Sequence, residues 1–390
     1  MAKGNPFEVF RAFLVLGLTA FGGPVAHLGY FRREFVEKRA WLTAEDYATL
    51  IALCQFLPGP ASSQTGFCIG LKRAGWLGGL AAWLGFTLPS ALLMYAMAHW
   101  LSQFQSWPMA QGILHGLQLA AIAVVAQAVW TMARTLCPDT PRRALGLLAT
   151  ALLAIMPGTG GQIFVLIVGA LIGILALESP PAPAPPRPAA AVAHAPALLL
   201  LALFALLLLA TFFLPQTGAL GLFAAFYRSG ALVFGGGHVV LPLLRQAIVA
   251  PGWITPQLFL SGYGAAQAVP GPLFTVAAFL GAVASGGPQG AFGAAIATLA
   301  IFLPGLLLVS GALPYWQALQ RHPSVAAAVK GLNAAVVGLL GATFIGLLNL
   351  GTLVGPWDLP IAITAILLLS FGRARPILVV LFCAAAGALA

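Results

Sequence analysis

The residues best suited to chemistry come in two matched sets. Gln55, Pro58, Gly59 and Pro60 form a Gln-x-x-Pro-Gly-Pro motif, and Gln267, Pro270, Gly271 and Pro272 repeat it, so the glutamine moves from 55 to 267, a shift of 212 residues. Upstream of each lies a Phe-Gly-Gly: Gly22 and Gly23 follow Phe21, and Gly235 and Gly236 follow Phe234. Proline removes a backbone donor and clashes with the preceding turn, while glycine is a poor helix former, so both motifs break helices. A break leaves backbone N–H and C=O groups free. At membrane depth such backbone is tolerated only inside protein or beside a watery cavity. The plain alternative for each motif is a helix kink.

The side chains around these breaks suit an anion. With Pro60 as the first residue of a new helix, a position proline favours, Ser62, Ser63 and Gln64 fall at its positive end together with free N–H groups. Such an end is a natural anion site. The second copy continues as Leu273-Phe274-Thr275 and is less polar, so the two sites are expected to be unequal. Serine and threonine also serve as small packing residues between membrane helices. His27 and His238 lie four and two residues beyond their Phe-Gly-Gly. Each offers a hydrogen-bond donor or proton switch to an anion, or is a buried imidazole satisfied by backbone. Arg228 stands inside an apolar segment, six residues before Phe234, and the second half holds a single acid, Asp358. An oxyanion is one partner for this cation; snorkelling to the interface is the other reading.

Composition sets the surroundings. Of 390 residues, 61% are hydrophobic and 7% charged, with a mean hydropathy of +0.98. Soluble domains carry roughly 25% charged residues, so this is a polytopic membrane protein. The net charge of +10 sits in short loops between apolar segments, where it writes topology rather than binding nucleic acid. Cys54, Cys68, Cys137 and Cys383 have no metal-ligand spacing, and His99, His115, His194 and His322 form no cluster. No catalytic triad, phosphate loop or dinucleotide fingerprint appears, so no enzyme, cofactor or ATP-driven pump is expected. The N-terminus, with Lys3 and Arg11 but no cleavage site, is read as mature protein.

The fold class expected is all-α and polytopic, with two homologous halves in an inverted repeat and broken or re-entrant helices at the two motifs. Residues 1–177 form the first repeat, 178–196 a Pro/Ala-rich linker, 197–214 a connecting transmembrane helix and 215–390 the second repeat. Segments 7–39 and 45–72 are read as hairpins with the motifs at their tips. Four crossings near 76–100, 111–133, 142–156 and 160–177, plus the connecting helix, make an odd number and invert the second half; if 7–24 crosses fully while 45–72 stays a hairpin, the count is even and the halves are parallel. Loop charges agree: Arg32, Arg33, Lys38, Arg39, Arg134, Arg142 and Arg143 lie in loops whose second-half matches are nearly neutral, while Arg321, Arg373 and Arg375 lie in loops neutral in the first half. By the positive-inside rule the halves face opposite ways. Thr43 followed by Asp46 reads as a helix cap. Duplicated, interrupted apolar segments are the pattern of a secondary transporter, with the breaks at its binding site.

On these residues the chain resembles the chromate ion transporter family in its long, two-domain form. The resemblance rests on Phe21-Gly22-Gly23-Pro24-x-x-His27, Trp41-Leu42, Gln55-x-x-Pro58-Gly59-Pro60 and Gly75-x-x-Gly78-Gly79 in the first half. In the second half it rests on Phe234-Gly235-Gly236-Gly237-His238, Trp253 and Gln267-x-x-Pro270-Gly271-Pro272. It implies export of chromate from the cytoplasm across the inner membrane, with sulfate as the related tetrahedral dianion. The expected partners are therefore chromate, sulfate and the lipid bilayer, with a homodimer left open. Transport of another oxyanion such as sulfate or molybdate, in either direction, is the nearest alternative. A membrane-embedded redox subunit is the more distant one.

Overall fold

A computed structural model describes residues 4–104, 107–177, 194–316, 319, 322–349, 353, 355–372 and 374–389. Residues 178–193 of the 178–196 linker, Arg321, Arg373 and part of the loop 350–358 lie outside the described residues, and 194–196 open α8. Among the described residues all regular structure is helical. The first half runs α1 (Pro6–Thr19), α2 (Gly23–Phe31, continued by a π-helical turn Arg32–Lys38), α3 (Ala44–Phe56), α4 (Ala61–Phe104), α5 (Pro108–Leu136), α6 (Thr140–Ile155) and α7 (Thr159–Ala176). After α8 (His194–Ala210) the second half runs α9 (Gly218–Ala231), α10 (Val240–Leu244, continued by a π-helical turn Arg245–Val249), α11 (Pro256–Ala266), α12 (Val276–Val283), α13 (Gly290–Ala312), α14 (Pro323–Leu348), α15 (Asp358–Ser370) and α16 (Pro376–Leu389).

Local chemistry explains the helix starts. Asn5 Oδ1 accepts from the Phe7 amide at 2.9 Å ahead of Pro6, and Thr43 Oγ1 accepts from the Asp46 amide at 3.1 Å, the expected cap. Thr255 repeats that cap on Leu258 at 3.3 Å. Asp139 caps α6 through the Arg142 amide, and its hydrogen bond to the Arg142 side chain holds its carboxyl below the usual range. Each satisfies one of the donors a helix start leaves free.

The duplication extends element by element, with its largest change of register after α12. α4 is interrupted at Ala74 and Gly75, where Gly75 has φ +67°; its counterpart is Gly290, φ +70°, at the start of α13. Gly75 thus matches Gly290 by backbone conformation. The stretch after α12 is three residues longer, so the shift rises from 212 at the Pro-Gly-Pro motifs to 215 at Pro89 and Pro304, which lie inside α4 and α13. Five described helical stretches are long and apolar enough to cross a membrane: Ala61–Leu101, Pro108–Leu136, Thr159–Ala176, Gly290–Tyr315 and Pro323–Leu348.

In space the described residues form two compact units, each drawing on both halves of the sequence. One comprises residues of Met1–His99, Pro183–Gly237 and Val269–Leu319. In it α13 packs on α8, α9 and α12, with Gly230 against the Ile301 carbonyl and Gly281 against Gly293. The second comprises residues of Trp100–Ala182, His238–Ala268 and Gln320–Ala390. There α14 packs on α6 and α7 through Gly146, Gly169, Gly173, Gly331 and Gly338, and α16 packs on α5 through Gly112, Gly116 and Gly387. Close backbone approach over small residues drives helix association where lipid removes the hydrophobic term.

Candidate functional site

Both Phe-Gly-Gly segments and both Pro-Gly-Pro turns converge within the first unit. A cavity of about 30 Å³ is lined by Pro24, Pro60, Ala61, Ser62, Gly236, Gly237, Pro272, Leu273 and Phe274. Pro24 and Gly236–Gly237 come from the two Phe-Gly-Gly segments, and Pro60–Ser62 and Pro272–Phe274 from the two Pro-Gly-Pro arms. One water needs ~10–15 Å³ by the same measure, so the space holds a very small occupant.

Crossed backbone bonds hold the arms in place. The Gly59 amide donates to the Val233 carbonyl at 2.7 Å, and the Gly271 amide donates to the Ala20 carbonyl at 2.9 Å. Each Pro-Gly-Pro is thereby tied to the residue just before the other half's Phe-Gly-Gly. Both glycines have left-handed backbone, φ +122° at Gly59 and +96° at Gly271. Each also lies against the proline turn of the opposite long helix. A Cβ on Gly59 would meet the Gly305 Cα at 3.0 Å, and one on Gly271 would meet Ser90 Oγ at 2.8 Å. Glycine is thus required twice over, by conformation and by space.

Free donors face the cavity from two helix starts. The Gln64 amide bonds to the Pro60 carbonyl at 2.9 Å, so the amides of Ala61, Ser62 and Ser63 have no acceptor within the helix. Pro60 therefore stands just before the helix rather than at its first position. In the other arm the Thr275 amide bonds to the Pro272 carbonyl at 3.0 Å, leaving Leu273 and Phe274 amides equally unpaired within their turn. That helix opens with a tighter 3₁₀ turn, Leu273–Thr275, before Val276–Val283.

The side chains divide into those at the cavity and those that brace it. Ser62 lines it, and its Oγ lies 3.5 Å from His27 Nδ1. His27 Nε2 contacts the Ala20 carbonyl at 3.2 Å, and the ring stands edge-on to Phe86 at 5.2 Å. Gln64 donates its amide hydrogens to the Pro58 and Gly305 carbonyls at 2.9 and 3.0 Å, so it clamps the arm rather than offering donors to a ligand. Ser63 Oγ and Gln64 Oε1 are buried and make no hydrogen bond. Thr275 spends its hydroxyl on the Pro272 carbonyl at 2.7 Å. Gln55 is exposed and outside the lining, as are Gly22 and Gly235. Arg228 is also outside it; its guanidinium lies over the Phe212 ring at 5.4 Å. His238 and Gln267 belong to the second unit, where His238 Nδ1 meets the Tyr263 hydroxyl at 2.8 Å and Gln267 Nε2 is buried without a partner.

Sequence reasoning missed Pro24, Ala61, Gly237, Leu273 and Phe274 in the lining, and Ala20 and Val233 as acceptors. The first five lie just beyond the motifs, and extending each motif by two residues would have included them all. Ala20 and Val233 act through carbonyls, which carry no side-chain signal.

These features define a helical, multi-pass membrane protein in which segments of both sequence halves line a shared cavity. The chain belongs to the chromate transporter family, whose model matches residues 7–174 and 220–388. It is 34% identical over 341 residues to a chromate transport protein of Pseudomonas aeruginosa, covering 87% of this chain and 80% of the relative. A probable chromate transport protein of Synechococcus elongatus is 29% identical over 340 residues, covering 87% and 83%. A chromate transport protein of Cupriavidus metallidurans is 28% identical over 367 residues, covering 94% and 88%. No solved structure matches the chain.

Proposed function

We propose that this protein exports chromate from the cytoplasm across the inner membrane as a secondary transporter, binding the anion at the cavity between the paired motifs. The observation that carries this reading is the convergence of both Phe-Gly-Gly segments and both Pro-Gly-Pro arms on one space. A dianion in a low-dielectric interior needs donors and positive potential, because desolvating an unpaired charge is very costly. The amides of Ala61, Ser62 and Ser63, the Ser62 hydroxyl and the Leu273 and Phe274 amides supply both at two helix starts. The relatives' names supply chromate; sulfate has the same charge and shape and is the natural competitor. Uptake of labelled chromate into inside-out vesicles, with sulfate as competitor, tests the reading. Saturable uptake that needs this protein supports it; uptake equal to that of vesicles lacking it overturns it.

The charge asymmetry of the loops supports an inverted arrangement, with 28–44 and 134–143 cytoplasmic and 242–256 and 350–358 on the other side. Single cysteines in 32–39 and 246–252 should label from opposite faces. Labelling of both from one face rejects the inversion.

A further inference from the structure

Two hydrogen-bond donors meet one carbonyl beside the cavity. The Ala20 oxygen accepts the Gly271 amide at 2.9 Å and lies 3.2 Å from His27 Nε2. A carbonyl can only accept, so Nε2 must carry the hydrogen. In the neutral ring Nδ1 is then the unprotonated nitrogen. It points at Ser62 Oγ from 3.5 Å, the outer limit of a hydrogen bond. The imidazole therefore keeps an almost unused proton acceptor one hydroxyl away from the cavity, although the ring is 1% exposed.

We propose that His27 is a proton-binding residue coupled to the anion: Nδ1 takes a proton from water as the dianion enters, and the imidazolium balances part of its charge through Ser62. This rests on the proposed transport of chromate and deepens it. The surroundings leave the role to this group. From the residue after α1 the imidazole meets the Ala20 carbonyl, and from α4 it meets Ser62 and Phe86, none of them charged. Tyr47 of α3 donates its hydroxyl to the Leu28 carbonyl at 2.6 Å. In the π-helical turn beyond α2, Arg32 pairs with Glu37, and Lys38 and Arg39 both pair with Glu34, while Arg33 is exposed. No bond to the anion forms or breaks; the proton moves from water to Nδ1 and returns on release. Protonation also makes Nε2–H a stronger donor. It then competes harder with the Gly271 amide for the Ala20 oxygen, so the proton bears on one of the two crossed ties that close the cavity.

The test measures proton uptake by the purified full-length protein on adding chromate, together with the pH dependence of chromate uptake into proteoliposomes. Wild type should take up as much as about one proton per anion, and its half-saturating chromate concentration should fall by up to about tenfold per unit as pH falls from about 8 to about 6. His27→Gln keeps an amide donor for the Ala20 carbonyl but cannot titrate. It should bind chromate more weakly, with no pH slope and no proton uptake. Chromate binding by wild type without proton uptake, or a wild-type slope in His27→Gln, overturns the proton site while leaving the anion site standing. Absence of chromate binding at every pH rejects the anion site, and the proton site with it. Should His27→Gln fail to reach the membrane, His238→Gln carries the test: proton uptake must survive in it, and its loss there moves the role to His238 and overturns the assignment.

Discussion

The two Pro-Gly-Pro arms share a backbone and differ in the residues just beyond it. Both carry a left-handed glycine, both are tied to a carbonyl of the opposite half, and both place unpaired amides at the cavity. After the first arm a regular α-helix begins at Ala61 and continues with four polar residues, Ser62, Ser63, Gln64 and Thr65, each under 4% exposed. After the second, a 3₁₀ turn of Leu273–Thr275 brings apolar side chains, and its one hydroxyl is already bonded to the Pro272 carbonyl. Duplication thus kept the features that shape the break and let go of those that would make the two halves chemically equal. Backbone geometry is what both arms need in order to close on each other. Donor side chains at this cavity come from the first arm, Ser62 lining it where the second arm presents Leu273 and Phe274.

The shared part can be broken first. Gly59→Leu should abolish chromate transport with the protein still in the membrane, since a side chain there is strained and collides with Gly305. Gly271→Leu should do the same through Ser90 and Phe86. Normal transport by either variant, in protein quantified by immunoblot, would show that arm to be an incidental kink. The unequal part comes next. Ser62→Ala with Ser63→Ala should raise the half-saturating chromate concentration roughly tenfold or more, because a hydrogen bond to a charged group is worth about 1.5–3 kcal/mol. Unchanged kinetics at equal expression would place the anion elsewhere.

Smaller effects sharpen the contrast. Thr275→Val should leave the half-saturating concentration within about twofold of wild type, since that hydroxyl serves its own turn and a neutral bond is worth ~0.5–1.5 kcal/mol of stability. A shift as large as that of the serine pair would make the arms functionally equal and erase the distinction. Smallest of all is Arg228→Gln. It removes a cation–π contact with Phe212 worth about 0.5–1 kcal/mol, and its transport kinetics should match wild type. A clear loss of affinity would put the guanidinium on the anion's path.

The sequence by itself determined that this is a polytopic helical membrane protein, that it is duplicated, and that the duplicated helix breaks are the place to look for a ligand. Apolar length, loop charge and the backbone limits of proline and glycine are properties of short stretches, and short stretches keep them whatever they touch. The same locality made the Thr43 cap legible and placed Ser62 beside a break. Only the tertiary structure decided that the compact units cross the sequence halves, and that Gly59 and Gly271 bond to Val233 and Ala20. It also spent Gln64 on backbone carbonyls, left Gln55 exposed and laid Arg228 over Phe212. The three-residue shift that pairs Gly75 with Gly290 likewise needed backbone angles, because several glycines lie within reach of the match. A side chain's role depends on which partner arrives from hundreds of residues away. Carbonyl acceptors such as Ala20 and Val233 are present at every residue, and only packing in three dimensions selects the ones that matter.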